Sequence, residues 1–272
     1  MANNIGFGNI YDSTWWGVGK DNSIGWGSVY PTSSIKFEFT INTANSGSSL
    51  SNQFQLPLSS GSTVNAVVEW GDGNSDTITS YNQAETLHTY DSGGVYGIKI
   101  DGIINGWRFV NGGDKLKILN ISNWGTFDFS TDFAFWGCSN LTITASDIPT
   151  ITSTSLQTVF YGCTNINPDI TNWNISGVTS LRFTFYNVEA IDRSFANWDI
   201  NQVGNFEDFL NAATLSTKNY DETLISWAAQ TPQSSKSVNF GSSTYTLGGD
   251  AEAARLVLTS TYGWTIADGG GI

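Results

Sequence analysis

The chain has 272 residues, and its 24 Asp and Glu outnumber 11 Lys and Arg for a formal charge of −13. That balance excludes nucleic acid and anionic membrane surfaces as partners, because both are held by clustered Lys and Arg. No run approaches the ~18 apolar residues of a membrane span. The abundance of Gly, Ser, Thr and Asn over helix formers predicts a mostly β protein.

Residues 1–33 form a Gly- and aromatic-rich segment with an internal echo, Ile5-Gly-Phe7-Gly-Asn-Ile10-Tyr11 returning as Ile24-Gly-Trp26-Gly-Ser-Val29-Tyr30. It holds too many aromatics for a solvated tail and is too short to bury them alone. Phe7, Tyr11, Trp15, Trp16, Trp26 and Tyr30 are therefore the expected docking residues, packing either in cis or on a partner chain. Met1-Ala-Asn-Asn-Ile has no basic n-region or continuous apolar h-region, so no signal peptide is read here.

Over 34–110 apolar residues alternate with polar ones, as in Ile35-Lys-Phe37-Glu-Phe39-Thr-Ile41 and Val64-Asn-Ala66-Val-Val68-Glu-Trp70. Period two predicts half-buried strands, and the Ser/Gly turns between them predict a small antiparallel β-sandwich. The order Val67-Val-Glu-Trp70-Gly-Asp72-Gly73, His88-Thr-Tyr90, Gly94-Val-Tyr96-Gly-Ile98 resembles the polycystic-kidney-disease (PKD) type of immunoglobulin-like domain. The resemblance implies an extracellular-type spacer or adhesion module. Asp72, Asn74 and Asp76 alternate like the oxygen ligands of a calcium loop. A hairpin turn at Asp72-Gly73 accounts for them without metal, so they stand as a weak Ca²⁺ candidate. No other metal and no cofactor is expected.

Over 111–232 the chain repeats itself. Phe135-Trp-Gly-Cys138-Ser-Asn-Leu141 returns as Phe160-Tyr-Gly-Cys163-Thr-Asn-Ile166, then as Phe185-Tyr-Asn-Val188-Glu-Ala-Ile191 and Phe209-Leu-Asn-Ala212-Ala-Thr-Leu215, at steps of 25, 25 and 24 residues. Asn123-Trp124, Asn172-Trp173 and Asn197-Trp198 keep the same beat, with Pro149 where one Trp is expected. Such a period is the mark of a solenoid whose units bury their apolar faces against each other. Asn172-Trp173-Asn-Ile175-Ser-Gly-Val178-Thr-Ser-Leu181-Arg-Phe183-Thr-Phe185-Tyr resembles the BspA-like, or mycoplasma-lipoprotein, leucine-rich repeats of bacterial surface proteins. Phe135, Phe160 and Phe185 are expected in the core. Trp124, Trp173 and Trp198 are open between core packing and a ligand-facing row on the repeat face. Cys138 and Cys163 share one phase and read as stacked thiols, at a distance that does not forbid a disulfide.

Residues 233–272 read as a C-terminal cap. Helices are expected at Tyr220–Ala229, at the end of the repeats, and at Asp250–Leu258, with a strand at Tyr262–Ile266. His88, the only histidine, reads as a hydrogen-bonded strand-start residue. Asp192, Asp199, Glu207 and Asp208 fall at different repeat phases, so solvated edges account for them better than a glycosidase pair. The sequons at Asn120, Asn140 and Asn174 are expected by chance in such a composition.

The expected architecture is mostly β: a small antiparallel β-sandwich followed by a short leucine-rich-repeat-like solenoid with a helical C-terminal cap. The expected function is a non-enzymatic structural or adhesion protein. Two modules of cell-surface type without a visible export signal fit a bacteriophage virion protein, released by lysis, as a decoration, fibre or receptor-contacting part docked by residues 1–33. The alternative is a bacterial cell-surface adhesin, with a carbohydrate-active enzyme a distant third. Expected partners are other virion or surface proteins and a host cell-surface protein or glycan within a larger assembly, with no nucleic acid and no membrane insertion.

Overall fold

The computed structural model describes residues 35–272. The expected docking residues Phe7, Tyr11, Trp15, Trp16, Trp26 and Tyr30 lie outside the described residues. Alternation of burial along β1 (Phe37–Asn42) and β3 (Val64–Glu69) puts Phe37, Phe39, Ile41, Val64, Ala66 and Val68 inside, as period-two patterning requires. Between them lies the short β2 (Gln53–Gln55). β4 (Ser75–Ile78), β5 (Leu87–Thr89) and β6 (Val95–Ile104) follow. β3 and β4 form a hairpin, and the turn at Trp70–Asn74 is closed by Trp70 N donating to Asn74 O at 3.1 Å.

The repeats contribute β7 (Ile118–Asn123), β8 (Asp128–Phe129), β9 (Thr142–Ile143) and β10 (Thr150–Ile151). The largest sheet has the order β4-β3-β6-β1-β7-β9. Its pairs are antiparallel up to β1–β7, and β7–β9 is parallel. Among the described residues the antiparallel β2–β5 ribbon packs against it, with Phe54 against Phe39 at 6.1 Å. The expected sandwich is thus one broad sheet faced by a short ribbon, and two of that sheet's strands come from beyond residue 110. The first copy of the repeat is covered by β1 through main-chain hydrogen bonds, which satisfies an edge that would otherwise be open.

A buried ion pair fastens the same junction. Lys117 is 0% and Asp114 1% exposed, 3.7 Å apart. Lys117 Nζ donates to Ser49 O, Ser49 Oγ, Leu50 O and Gln53 O. Asp114 accepts from Ser49 N, Ser49 Oγ and Gln55 N. Burial pushes the Lys117 ammonium below its ordinary range, with Asp114 acting in the opposite direction. Both charges are taken from water, and the dense set of hydrogen bonds is what makes that tolerable.

From there the copies lie on one another in parallel, joined by backbone hydrogen bonds. Phe135 N donates to Val159 O, Phe160 N to Thr184 O and Phe185 N to Phe209 O. Isolated parallel bridges Ser155–Ser180 and Ser180–Asn205 mark a second line of contact. Inside, Phe135, Phe160 and Phe185 form a stack with centroids 5.7 and 5.5 Å apart and planes within 9°. Each such pair is worth ~0.5–1.5 kcal/mol beyond burial.

The fourth copy departs from the expected alignment. Cys138 N, Cys163 N and Val188 N donate to the carbonyls of Phe135, Phe160 and Phe185, and the next bond in the series is Ala213 N to Leu210 O. The step is therefore 25 residues throughout, and Leu210 rather than Phe209 continues the stack. Phe209 takes the place of Val159 and Thr184, and its ring meets Phe185 at 72° instead of lying parallel.

The C-terminal region holds α1 (Thr217–Ala229), β11 (Ser237–Asn239), β12 (Thr244–Tyr245), α2 (Asp250–Leu256), β13 (Thr265–Ala267) and β14 (Gly270–Gly271). β11–β13 and β12–β14 pair in parallel. α1 buries Tyr220, Thr223, Leu224 and Trp227, three or four residues apart on one face. α2 ends two residues sooner than expected and passes into a π-helical turn at Val257–Thr261. The chain is mostly β, as its composition predicts.

Candidate functional site

Trp124, Trp173 and Trp198 are 1, 3 and 1% exposed, so none of the repeat-face tryptophans is presented to a ligand. Trp124 and Trp173 meet edge to face at 5.8 Å across the copy that lacks a Trp. Cys138 and Cys163 are free and buried. Cys163 Sγ donates to Phe135 O at 3.0 Å. Burial, then its neighbour Cys163, pushes the Cys138 thiol well up.

The calcium candidates are engaged among themselves and with their neighbours. Asp72 accepts from His88 Nε2 at 2.8 Å and from Asn74 N, while Asp76 accepts from Trp70 Nε1 at 2.8 Å. Burial raises the Asp72 pKa, but hydrogen bonds from His88 and Asn74 outweigh it and hold the carboxyl below its ordinary range. His88 stacks on Trp70 at 4.6 Å, and Tyr90 donates from its hydroxyl to Trp70 O. Among the described residues no group of three or more His, Cys, Asp and Glu is placed to hold a metal ion.

The four carboxylates likewise serve structure. Asp192 accepts from Ser216 N, Ser216 Oγ and Asn219 Nδ2 at the start of α1. Asp199 closes a turn onto Asn201, Glu207 pairs with Arg182, and Asp208 accepts from Asn211 and Asn239.

What remains on the surface is a row of aromatics that the repeat itself creates. In the first three copies the turn that starts at Phe135, Phe160 and Phe185 sends that ring inward and the next side chain outward, so Trp136, Tyr161 and Tyr186 stand part-exposed in line, 5.8 and 4.5 Å apart. The turn needs two left-handed residues per copy. One phase is Gly137, Gly162, Asn187 and Ala212, at φ 81, 71, 56 and 65°. The other is Phe133, Thr158, Phe183 and Asp208, at φ 66, 59, 54 and 48°.

The first phase mostly obeys backbone preference, since Gly and Asn accept positive φ. The second does not. A bulky residue there costs ~1–2 kcal/mol. Phe133 and Phe183 are only part-buried and lie outside the fully buried core, so less burial is available there to offset that cost.

Their rings flank Thr158. Phe133, Trp136, Gln157, Thr158, Tyr161, Arg182 and Phe183 line a cleft of about 240 Å³. Arg108 lies over the Phe133 ring at 5.1 Å and Arg182 over the Phe183 ring at 4.3 Å. Arg182 is also forked onto Glu207 through Nε at 2.7 Å and Nη2 at 3.2 Å. That hydrogen bond holds the Glu207 carboxyl below its ordinary range. Burial, then Tyr186, pushes the Tyr161 phenol up, so the rim carries a hydroxyl at neutral pH.

Thr158 is 4% exposed, and its side-chain hydroxyl has no hydrogen-bond partner among the described residues. The Gln157 carboxamide is equally unengaged. Two larger hollows, 630 Å³ beside Leu56, Tyr81 and Arg108 and 480 Å³ beside Tyr245, Glu252 and Leu256, are not built from the left-handed phase of the repeat, although Arg108 Nε beside the first is buried with no partner among the described residues. None of the cleft residues belongs to the candidates read from the sequence. The signal that could have found them is Phe133 and Phe183, 50 residues apart at one phase of the repeat.

No helix among the described residues is long and apolar enough to cross a membrane. No curated protein and no solved structure matches the chain. Residues 108–237, the stretch that carries the 25-residue repeat and the aromatic cleft, match the family model described as a Mycoplasma protein of unknown function, DUF285.

Proposed function

We propose that the chain is a non-enzymatic adhesion module. In this reading a short leucine-rich-repeat-like solenoid of the BspA-like type, covered at its first copy by a PKD-type sandwich, presents the Thr158 cleft to a ligand from within a larger surface assembly. The observation that carries it is the cleft itself: two phenyl rings held in unfavourable backbone conformations, outside the core, around an unpartnered hydroxyl. The meeting of Trp70, Asp72, His88 and Tyr90 in one cluster supports the PKD-type reading of the sandwich.

The assembly is a bacteriophage virion, with residues 1–33 as the docking segment. The match of residues 108–237 to a Mycoplasma family favours a second placement, the bacterial cell surface. Mass spectrometry of purified particles and of proteins shaved from intact cells separates the two. The binding role is tested by incubating fluorescently labelled chain with intact cells of the bacterial host. Thr158→Phe, which fills the cleft with the residue found at the same phase on either side, is expected to lower bound fluorescence at least tenfold. Equal binding by both proteins overturns the role of the cleft.

A further inference from the structure

We infer that the Thr158 cleft binds one hexose ring of a neutral glycan. This rests on the binding-module reading above and adds the ligand's chemical class.

Width comes first. Phe133 and Phe183 belong to copies on either side of the one that carries Thr158, so their backbones stand roughly 10 Å apart at the ladder spacing. That admits a single six-membered ring between two phenyl walls. The volume of about 240 Å³ agrees, since it falls below the ~300–1,000 Å³ of pockets for drug-sized ligands.

Charge comes next. A cationic ligand would need a carboxylate in the lining, and the lining has none, its one charged side chain being Arg182. An anionic ligand would need an uncompensated cation inside the cleft, and Arg182 is neutralised by its fork onto Glu207. The ligand is neutral.

Polarity decides between the neutral classes. A proline ring or an aromatic side chain would bury the Thr158 hydroxyl without a partner, which disfavours both. A hexose ring has C–H faces for the phenyl walls and hydroxyls around its edge. One hydroxyl meets Thr158 Oγ1 on the floor. The Gln157 carboxamide, with donor and acceptor side by side, takes a neighbouring pair. Trp136 and Tyr161 extend the wall along the row, so a second sugar unit can follow the line of copies.

The test uses the full chain in isothermal titration calorimetry with cellohexaose, maltohexaose and mannohexaose, and with hexaproline as the apolar-ring competitor. Thr158→Phe closes the cleft with a residue that this phase already accommodates twice, and Gln157→Met removes the amide at similar size. At least one hexasaccharide is expected to bind, with affinity falling tenfold or more in Thr158→Phe and about fivefold in Gln157→Met, the latter with its thermal midpoint unchanged. Saccharide binding that survives Thr158→Phe overturns the site. Hexaproline binding that is lost in Thr158→Phe, with no saccharide binding, overturns the ligand class but leaves the binding module standing. No binding of either probe, together with equal attachment of wild type and Thr158→Phe to cells, overturns both.

Discussion

Trp198 Nε1 donates to Ile170 O, 28 residues upstream, at 3.1 Å, fully inside the stack. Trp173 occupies the equivalent place one copy earlier, and its Nε1 is buried with no partner. The position 28 residues before it is Ala145, in the copy where Pro149 replaces the Trp, and there the bond is not made. The orphaned donor thus lies in the copy that follows the one without a Trp.

Trp198→Phe and Trp173→Phe remove the same volume but differ in hydrogen bonding. The first removes one of the two donors to Ile170 O, which Trp173 N also meets, and the second removes an unmet donor. Trp198→Phe is expected to be the more destabilising by ~0.5–1.5 kcal/mol, the net worth of one hydrogen bond, read as the difference between the two variants in urea unfolding. Equal losses would mean that the Ile170 bond contributes nothing.

Asp114 and Lys117 should behave as a single unit. Asp114→Ala leaves an uncompensated buried ammonium and is expected to cost ~3–5 kcal/mol. The double variant Asp114→Leu/Lys117→Met should recover most of that loss, because no charge is then left buried. If the double variant is no more stable than Asp114→Ala, the pair is not what joins the sheet to the first copy.

The left-handed turn positions give a test of opposite sign. Ala212 is held at φ 65° where two earlier copies have glycine. Ala212→Gly is expected to stabilise by ~1 kcal/mol. Gly162→Ala should destabilise by a similar amount through backbone conformation alone, because the nearest atom to the added Cβ would lie 3.9 Å away, an ordinary contact. Thermal unfolding of both proteins checks the pair.

Acid should weaken the fold through Asp192 and Asp72. Burial raises the Asp192 pKa, but hydrogen bonds from Ser216 and Asn219 outweigh it and lower the carboxyl below 3.8. A folded pKa below the unfolded value means that the stabilisation is fully present above about pH 3.8 and is lost as pH falls through the folded value. Asp192→Asn is therefore expected to be less stable than wild type at pH 7, with the gap closing as pH falls from about 3.8 through the folded value, in denaturant titrations across that range. A constant gap across that range would contradict the assignment.

Much of this was legible in the chain. The 25-residue beat of Phe135, Phe160 and Phe185 announced the stacked core, because identical apolar residues at one phase have only each other to pack against. The buried faces of β1 and β3 and the two helices followed from their periods. The register of the fourth copy was not legible, since Phe209 next to Leu210 offers two apolar residues and only the bond from Ala213 N to Leu210 O selects between them. The pairing of β1 with β7 joins residues some 80 positions apart across an apparent boundary, and no local pattern marks it. The cleft was hidden for another reason: the phase that builds it reads Phe, Thr, Phe, Asp, which looks like variable loop until backbone geometry shows that all four are left-handed.

The central claim is that Phe183 is kept for binding and not for folding, and Phe183→Asn tests it most directly. Asn is favoured over Phe at positive φ, which offsets the loss of the part-buried ring's contacts with Arg182, Tyr161 and Tyr186. Measured on one preparation, the variant should melt close to the wild-type temperature while its affinity for the bound hexasaccharide falls at least tenfold. A variant that melts several degrees lower, or that binds as tightly as wild type, would contradict the account.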